Sequence, residues 1–156
     1  MNLFGSSAQS NYSKPSSLRL ACRDGSFTGQ TSGQAPGYAQ ANLCILPKQY
    51  AYDFLLYCTR NPKPCPLLHV LEEGEFTFGT WGKKVDVRTD IPRYRIFKNG
   101  EMAHEVNSLM GLSPEIRSGT GSSENEEHDG ALWRSDFVTF VIGCSFSFEE
   151  ALYVAV

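Results

Sequence analysis

FVTFVI (Phe137–Ile142) is the run on which the fold turns. All six residues are β-branched or aromatic, the types that pack best on a pleated, half-buried surface. Without polar alternation, such a run reads as a central strand covered on both faces. It leads into GCSFSFEEALYVAV (143–156), where Ser147 and Glu150 have the spacing of a capping box. A helix is therefore expected from about Phe148.

Working outward, NLCIL (Asn42–Leu46) and Leu67–Leu71 are the next strand candidates. Pro47 sits at a plausible first helical position. In KQYAYDFLLYCTR, which follows it, Tyr50, Phe54, Tyr57 and Cys58 recur at three- and four-residue steps, predicting a core-facing stripe. The alternating prolines of Asn61-Pro62-Lys63-Pro64-Cys65-Pro66 end that helix by removing donors and forcing extended geometry. Tyr94–Val106 reads as a hairpin, because Asn99-Gly100 supplies the two positive-φ residues of a type I′ turn. Strands alternating with helices make the expected fold α/β, a mixed sheet with flanking helices.

The ends and loops read differently. Residues 1–17 show little periodicity and are expected to be disordered, with the domain running over 18–156. Arg19–Tyr38 reads as an ordered loop, with glycines at 25, 29, 33 and 37 among hydroxyl residues. Residues 111–130 read as an acidic insertion loop. Within it, Ser113–Gly130 holds five acids and one base, whereas the rest of the chain carries thirteen bases and twelve acids. The net charge of −3 is thus local.

The composition excludes several classes. With 156 residues, 41% hydrophobic and 20% charged, the chain suits one folded domain. A nucleic-acid partner is not expected from a net charge of −3. No apolar run approaches the roughly 20 residues of a membrane-spanning helix, so no membrane role is expected. Cys22, Cys44, Cys58, Cys65 and Cys144 form neither a CxxC pair nor a zinc-like spacing, and Cys44 and Cys58 lie in apolar stretches suited to buried thiols. An odd cysteine count fits a reducing compartment, hence a cytoplasmic location. The acid-free first 23 residues, with Lys14, Arg19 and Arg23, leave the mitochondrial matrix as the alternative.

Three places can carry chemistry. The turn Gly143-Cys144-Ser145-Phe146-Ser147, between a buried strand and a helix start, can hold a carboxylate or a developing oxyanion on backbone N–H groups. There Cys144 reads either as a nucleophile or as the filler of a tight turn, and Ser147 either as a site residue or as a cap. The glycine-rich loop offers Arg19, Arg23, Asp24, Thr28, Thr31, Tyr38, Gln40 and Asn42, in a spacing that is neither a dinucleotide fingerprint nor a Walker loop. In VDVRTDIPRYR, Arg93 and Arg95 share one strand face with Arg88 and Asp90 nearby, either as a carboxylate clamp or as a solvated face. His69, His104 and His128 are too scattered to suggest a metal site or a catalytic triad.

Four blocks then carry a resemblance. RDGSFTGQTSGQAPGYAQANLCILP (Arg23–Pro47), DFLLYCTRNPKPCPLL (Asp53–Leu68), DVRTDIPRYRIFKNG (Asp86–Gly100) and FVIGCSFSFEEAL (Phe140–Leu152) resemble the D-glutamate cyclase family, whose members are also described as hydro-lyases. The blocks fall in the family's order. Members pass quickly from the hairpin to the segment matching Leu132-Trp133, so the stretch from about Met110 to Gly130 looks inserted. They also continue well beyond the last block, so the chain resembles the N-terminal portion of an α/β fold that is incomplete here.

The resemblance implies a carbon–oxygen lyase that converts D-glutamate to 5-oxo-D-proline with loss of water. The expected partner is that small amino acid, and no cofactor or metal is implied. Matched to this reaction, Arg23 or Arg93 holds the α-carboxylate, with Thr28, Thr31, Tyr38, Gln40 and Asn42 lining the substrate. The turn Cys144, Ser145 and Ser147 supplies oxyanion donors, and Asp24 or Glu149 carries the proton. The alternative is an inactive or regulatory carboxylate-binding domain produced by truncation.

Overall fold

A computed structural model describes residues 12–79, 82, 84–111, 131–145 and 147. In chain order the elements are α1 (Pro15–Arg23), β1 (Ala41–Pro47), α2 (Lys48–Arg60), β2 (Leu67–Leu71), β3 (Tyr94–Lys98), β4 (Glu101–Val106) and β5 (Phe137–Gly143). Residues 112–130 of the acidic insertion and the helix expected from Phe148 lie outside the described residues.

β5 lies at the centre of a three-stranded sheet, between β1 and β2, and both pairings are antiparallel. The class is mixed α/β, as the pattern of apolar runs requires. Alternation along β5 explains why it is apolar throughout. Phe140 points toward α2 and meets Phe54 edge-on, with ring centroids 4.9 Å apart. Val141 points the other way, into a core of Leu71 and Val87 packed against Leu43, Leu68, Phe76, Phe78 and Trp133. Thr139 is wholly buried, and its hydroxyl has no protein partner.

Burial corrects the stripe expected on α2. Cys58 is buried and Phe54 packs on Phe140, but Tyr50 and Tyr57 are exposed. The inward direction runs through Ala51, Phe54 and Cys58, so at 100° per residue Tyr50 and Tyr57 fall on a flank that a three-stranded sheet does not reach. Pro47 is the last residue of β1 and the N-cap of α2, one position before the expected first turn. The N–H of Lys48 bonds the Asp136 carbonyl at 2.8 Å, tying that helix start to the approach to β5.

The stretch expected to be loop from Arg19 is helical up to Arg23. Pro15 stands in the first turn of α1, and Leu18, Ala21 and Cys22 form the buried i, i+3, i+4 set that fixes the helix. α1 thus begins three residues before the domain start expected at 18.

β3 and β4 form the expected hairpin, with Asn99 at φ 51° and Gly100 at φ 83°. The turn after β2 depends on Gly74, at φ +76°, where a Cβ would stand 2.9 Å from the Ser135 carbonyl oxygen. That close approach lets the Gly74 N–H bond the Phe137 carbonyl at 2.8 Å.

Candidate functional site

The glycine-rich loop and the turn beyond β5 meet. β1 pairs with β5 so that Ala41 stands opposite Gly143, which brings Gln40 to the residues that follow β5. The Ser147 hydroxyl accepts the Gln40 N–H at 2.9 Å and donates to the Gln40 carbonyl at 3.1 Å. The Ser147 N–H bonds the Cys144 carbonyl at 3.4 Å, closing the turn. Ser145 is exposed and Cys144 half-buried at its rim.

The loop is braced from within. The Gln40 carboxamide donates to the carbonyls of Thr31 at 3.0 Å and Gln34 at 3.2 Å. Those two donations fix which way the amide points and leave its oxygen enclosed without a protein donor. The side-chain oxygen of Gln34, a residue only 7% exposed, is likewise unpartnered. Gln34 did not stand out in the sequence, because nothing in its spacing separates it from the loop's other glutamines. Tyr38 and Asn42 are exposed.

Arg93 joins the hairpin to the same loop. Its guanidinium donates to the Thr28 carbonyl through Nε at 3.2 Å and Nη2 at 3.0 Å. Its Nη1 lies 3.5 Å from Glu105, which also takes a 2.9 Å bond from Arg95. Arg95, then Arg93, hold the exposed Glu105 carboxyl below the usual carboxylate range.

Arg23 points elsewhere. Its Nε and Nη2 grip the buried Asp90 carboxylate at 2.9 and 2.6 Å, and Nη2 also reaches the Lys84 carbonyl at 3.2 Å. Arg19 adds a 3.6 Å contact to Asp90. Asp90 is therefore the buried anchor of α1, a role its place in a charged run did not reveal. Asp24 is exposed, and bonds from the Ser26 hydroxyl and N–H lower its pKa, so it is an anion at neutral pH. Glu149 lies outside the described residues.

The chemistry of the other groups is constrained by burial. Desolvation, with Asp90 and Asp24 adding to it, pushes the Cys22 thiol up to about 11, and desolvation also raises Cys44 and Cys58. These thiols stay protonated at neutral pH. All five cysteines are free. Among the described residues, no group of three His, Cys, Asp or Glu is placed to hold a metal, and no helix is long and apolar enough to cross a membrane.

Fold and site together define a mixed α/β domain in which a polar loop is clasped to a strand-end turn. In sequence the chain is similar to bacterial proteins provisionally named hydro-lyases. One from Afipia carboxidovorans is 49% identical over 138 residues, 88% of this chain and 44% of that protein. One from Staphylococcus haemolyticus is 46% identical over 143 residues, 92% of this chain and 47% of its own length. A third, from Rhizobium johnstonii, is 43% identical over 152 residues, 97% of this chain and 49% of its length. The chain thus spans about half the length of the curated relatives it matches. These relatives are bacterial, which lends no support to the mitochondrial alternative. No family model matches the chain.

Proposed function

We propose that this chain carries the substrate-holding part of a hydro-lyase that cyclises D-glutamate to 5-oxo-D-proline. The observation that carries the reading is the two-point bond between Ser147 and Gln40, which joins the first and last of the four blocks on which the resemblance rests. The names of the relatives support the reaction class.

In this reading the substrate amine loses a proton and attacks the carbon of its own side-chain carboxyl. A C–N bond forms, the oxyanion collapses, and the departing hydroxyl leaves as water once protonated. Closing a five-membered ring is already favoured by effective molarity, so positioning and charge can supply much of the rate. Arg93 holds the α-carboxylate, exchanging its 3.5 Å contact with Glu105 for the ligand. Arg23, with two nitrogens committed to Asp90, anchors α1.

At the turn, Ser145 and Cys144 face the oxyanion with backbone donors. Ser147 has given its hydroxyl hydrogen and its N–H to other carbonyls, so it positions the turn and does not donate to substrate. Asp24 or Glu149 carries the proton from the amine to the departing hydroxyl. Thr28, Thr31, Tyr38, Gln40 and Asn42 line the substrate. Residues 18–156 serve as the N-terminal part of a D-glutamate cyclase-like domain, with 111–130 inserted. A cytoplasmic setting suits the five free thiols.

The second reading is a domain that binds a carboxylate without turning it over. Titration calorimetry with D-glutamate tests the shared step. Saturable binding that Arg93→Ala abolishes is expected, and no binding by folded protein contradicts both readings.

A further inference from the structure

Gln34 is a buried polar side chain whose acceptor has nothing to accept. The residue is 7% exposed, and its carboxamide oxygen is enclosed without a donor. The Gln40 carboxamide oxygen, in the same loop, is enclosed and unpartnered as well. Keeping an amide oxygen from water without a hydrogen bond is costly, and folded proteins retain few such groups. The loop nevertheless holds Gln34 firmly. Its N–H bonds the Thr31 carbonyl at 3.0 Å, and its carbonyl accepts from Gln40 Nε2 at 3.2 Å. The N–H of the next residue, Ala35, bonds the Tyr12 carbonyl at 2.8 Å. Ala35 is itself held at φ 49°, in the left-handed region that a residue with a Cβ rarely adopts. Strain of this kind persists where the surroundings fix it, and it gathers at ligand clamps.

The chemistry of the ligand proposed above names the missing donor. At neutral pH D-glutamate carries two carboxylates, which only accept hydrogen bonds, and one ammonium group, which only donates. An orphan acceptor in a site for that molecule therefore has one group to meet, the amine. Among the described residues, no cluster of His, Cys, Asp or Glu stands by to share a metal ion there. The residue type also suits a nitrogen that must become a nucleophile. A carboxylate in this place would favour the charged ammonium, whereas a neutral carboxamide holds an N–H and leaves the nitrogen freer to lose its proton. The carboxylate end of the ligand is left to Arg93, which is bound to the same loop through the Thr28 carbonyl. Because the Gln34 oxygen is enclosed in the free chain, ligand entry and movement of the loop go together.

We infer that Gln34 reads the ligand's amine, its carboxamide oxygen accepting an N–H bond from that group, and so selects an amino acid over the plain dicarboxylate. The inference rests on the D-glutamate reading and deepens it by assigning the one donor group of the ligand to a residue.

Titration calorimetry of the whole chain with D-glutamate and with glutarate, which keeps both carboxylates and lacks the amine, tests it. The unaltered chain should bind D-glutamate at least tenfold more tightly than glutarate. Gln34→Met, which keeps the side-chain length and removes the acceptor, should bring the D-glutamate affinity down to that of glutarate and leave glutarate binding as it was. Its midpoint in urea should be unchanged or higher, because an orphan acceptor has been removed. A variant that keeps the preference overturns the inference, and so does one that weakens both ligands alike, the mark of a structural role. A lower urea midpoint overturns it too, by showing that the oxygen is satisfied in the free chain. Equal binding of the two ligands by the unaltered chain sinks this inference alone. Binding of neither sinks the D-glutamate reading and the inference with it.

Discussion

Ser147 and Gln40, 107 positions apart in sequence, share two hydrogen bonds through one hydroxyl, which accepts at 2.9 Å and donates at 3.1 Å. The Ser147 N–H closes the same turn on Cys144. The arrangement binds the glycine-rich loop to the end of the central strand without using any of the core.

Ser147→Ala should therefore loosen the site more than the fold. Each exposed bond contributes about 0.5–1.5 kcal/mol at most, so loss of the two should lower the unfolding free energy by no more than about 3 kcal/mol. Hydrogen exchange at Gln40 should rise, and affinity for D-glutamate should drop about tenfold. Ser147→Thr, which keeps the hydroxyl, should restore both. Unchanged exchange at Gln40 in the alanine variant would show that the clasp does not order the loop.

The two arginines should separate cleanly. Arg23→Ala leaves the buried Asp90 carboxylate without its two shortest bonds, and a loss of about 2–3 kcal/mol is expected in urea unfolding. Arg93 makes an exposed ion pair and carbonyl bonds, so Arg93→Ala should cost less than about 1 kcal/mol while weakening ligand binding. Equal stability losses in the two variants would contradict this division of roles.

The distinction between these arginines marks how far the sequence could be read. FVTFVI announced the central strand, because only a run covered on both faces tolerates six such residues, and Asn99-Gly100 announced the hairpin through the φ values its turn requires. α1 was hidden because its serines and arginines resemble the loop that follows, and its three buried residues make sense only against a partner surface. Arg23 and Arg93 read alike in sequence. What separates them is the distant Asp90 and Thr28 that each one meets, and no local pattern encodes such pairings.

Thr139 tests the core. Its hydroxyl is buried at 0% exposure with no protein partner, and such a group costs roughly 1–3 kcal/mol in lost hydration. Thr139→Val keeps the shape and removes the orphan, so stability should rise by about 1 kcal/mol in urea denaturation. A destabilised valine variant would mean that the hydroxyl is satisfied in solution.

Acid sensitivity should follow Asp86. Burial pushes its carboxyl up, but the bonds from the Arg88 side chain and N–H, with the charges of Arg88 and Arg23, outweigh it and hold the pKa below the ordinary value. A depressed folded pKa means that the stabilisation is complete above the unfolded range near about 4 and is lost as pH falls through the folded value. Thermal unfolding should change little in this respect from pH 7 to 5 and then fall steeply below about pH 4. Asp86→Asn should flatten that fall, and an unchanged slope would assign it to other carboxylates.

Incubation of the purified chain with D-glutamate, followed by mass spectrometry, bears most directly on the proposed reaction. The account predicts a product lighter than substrate by one water, co-eluting with 5-oxo-D-proline and formed faster than in buffer alone. Arg93→Ala should slow its formation by at least tenfold. Folded protein that binds D-glutamate and forms no such product would contradict the lyase reading and leave the carboxylate-binding domain in its place.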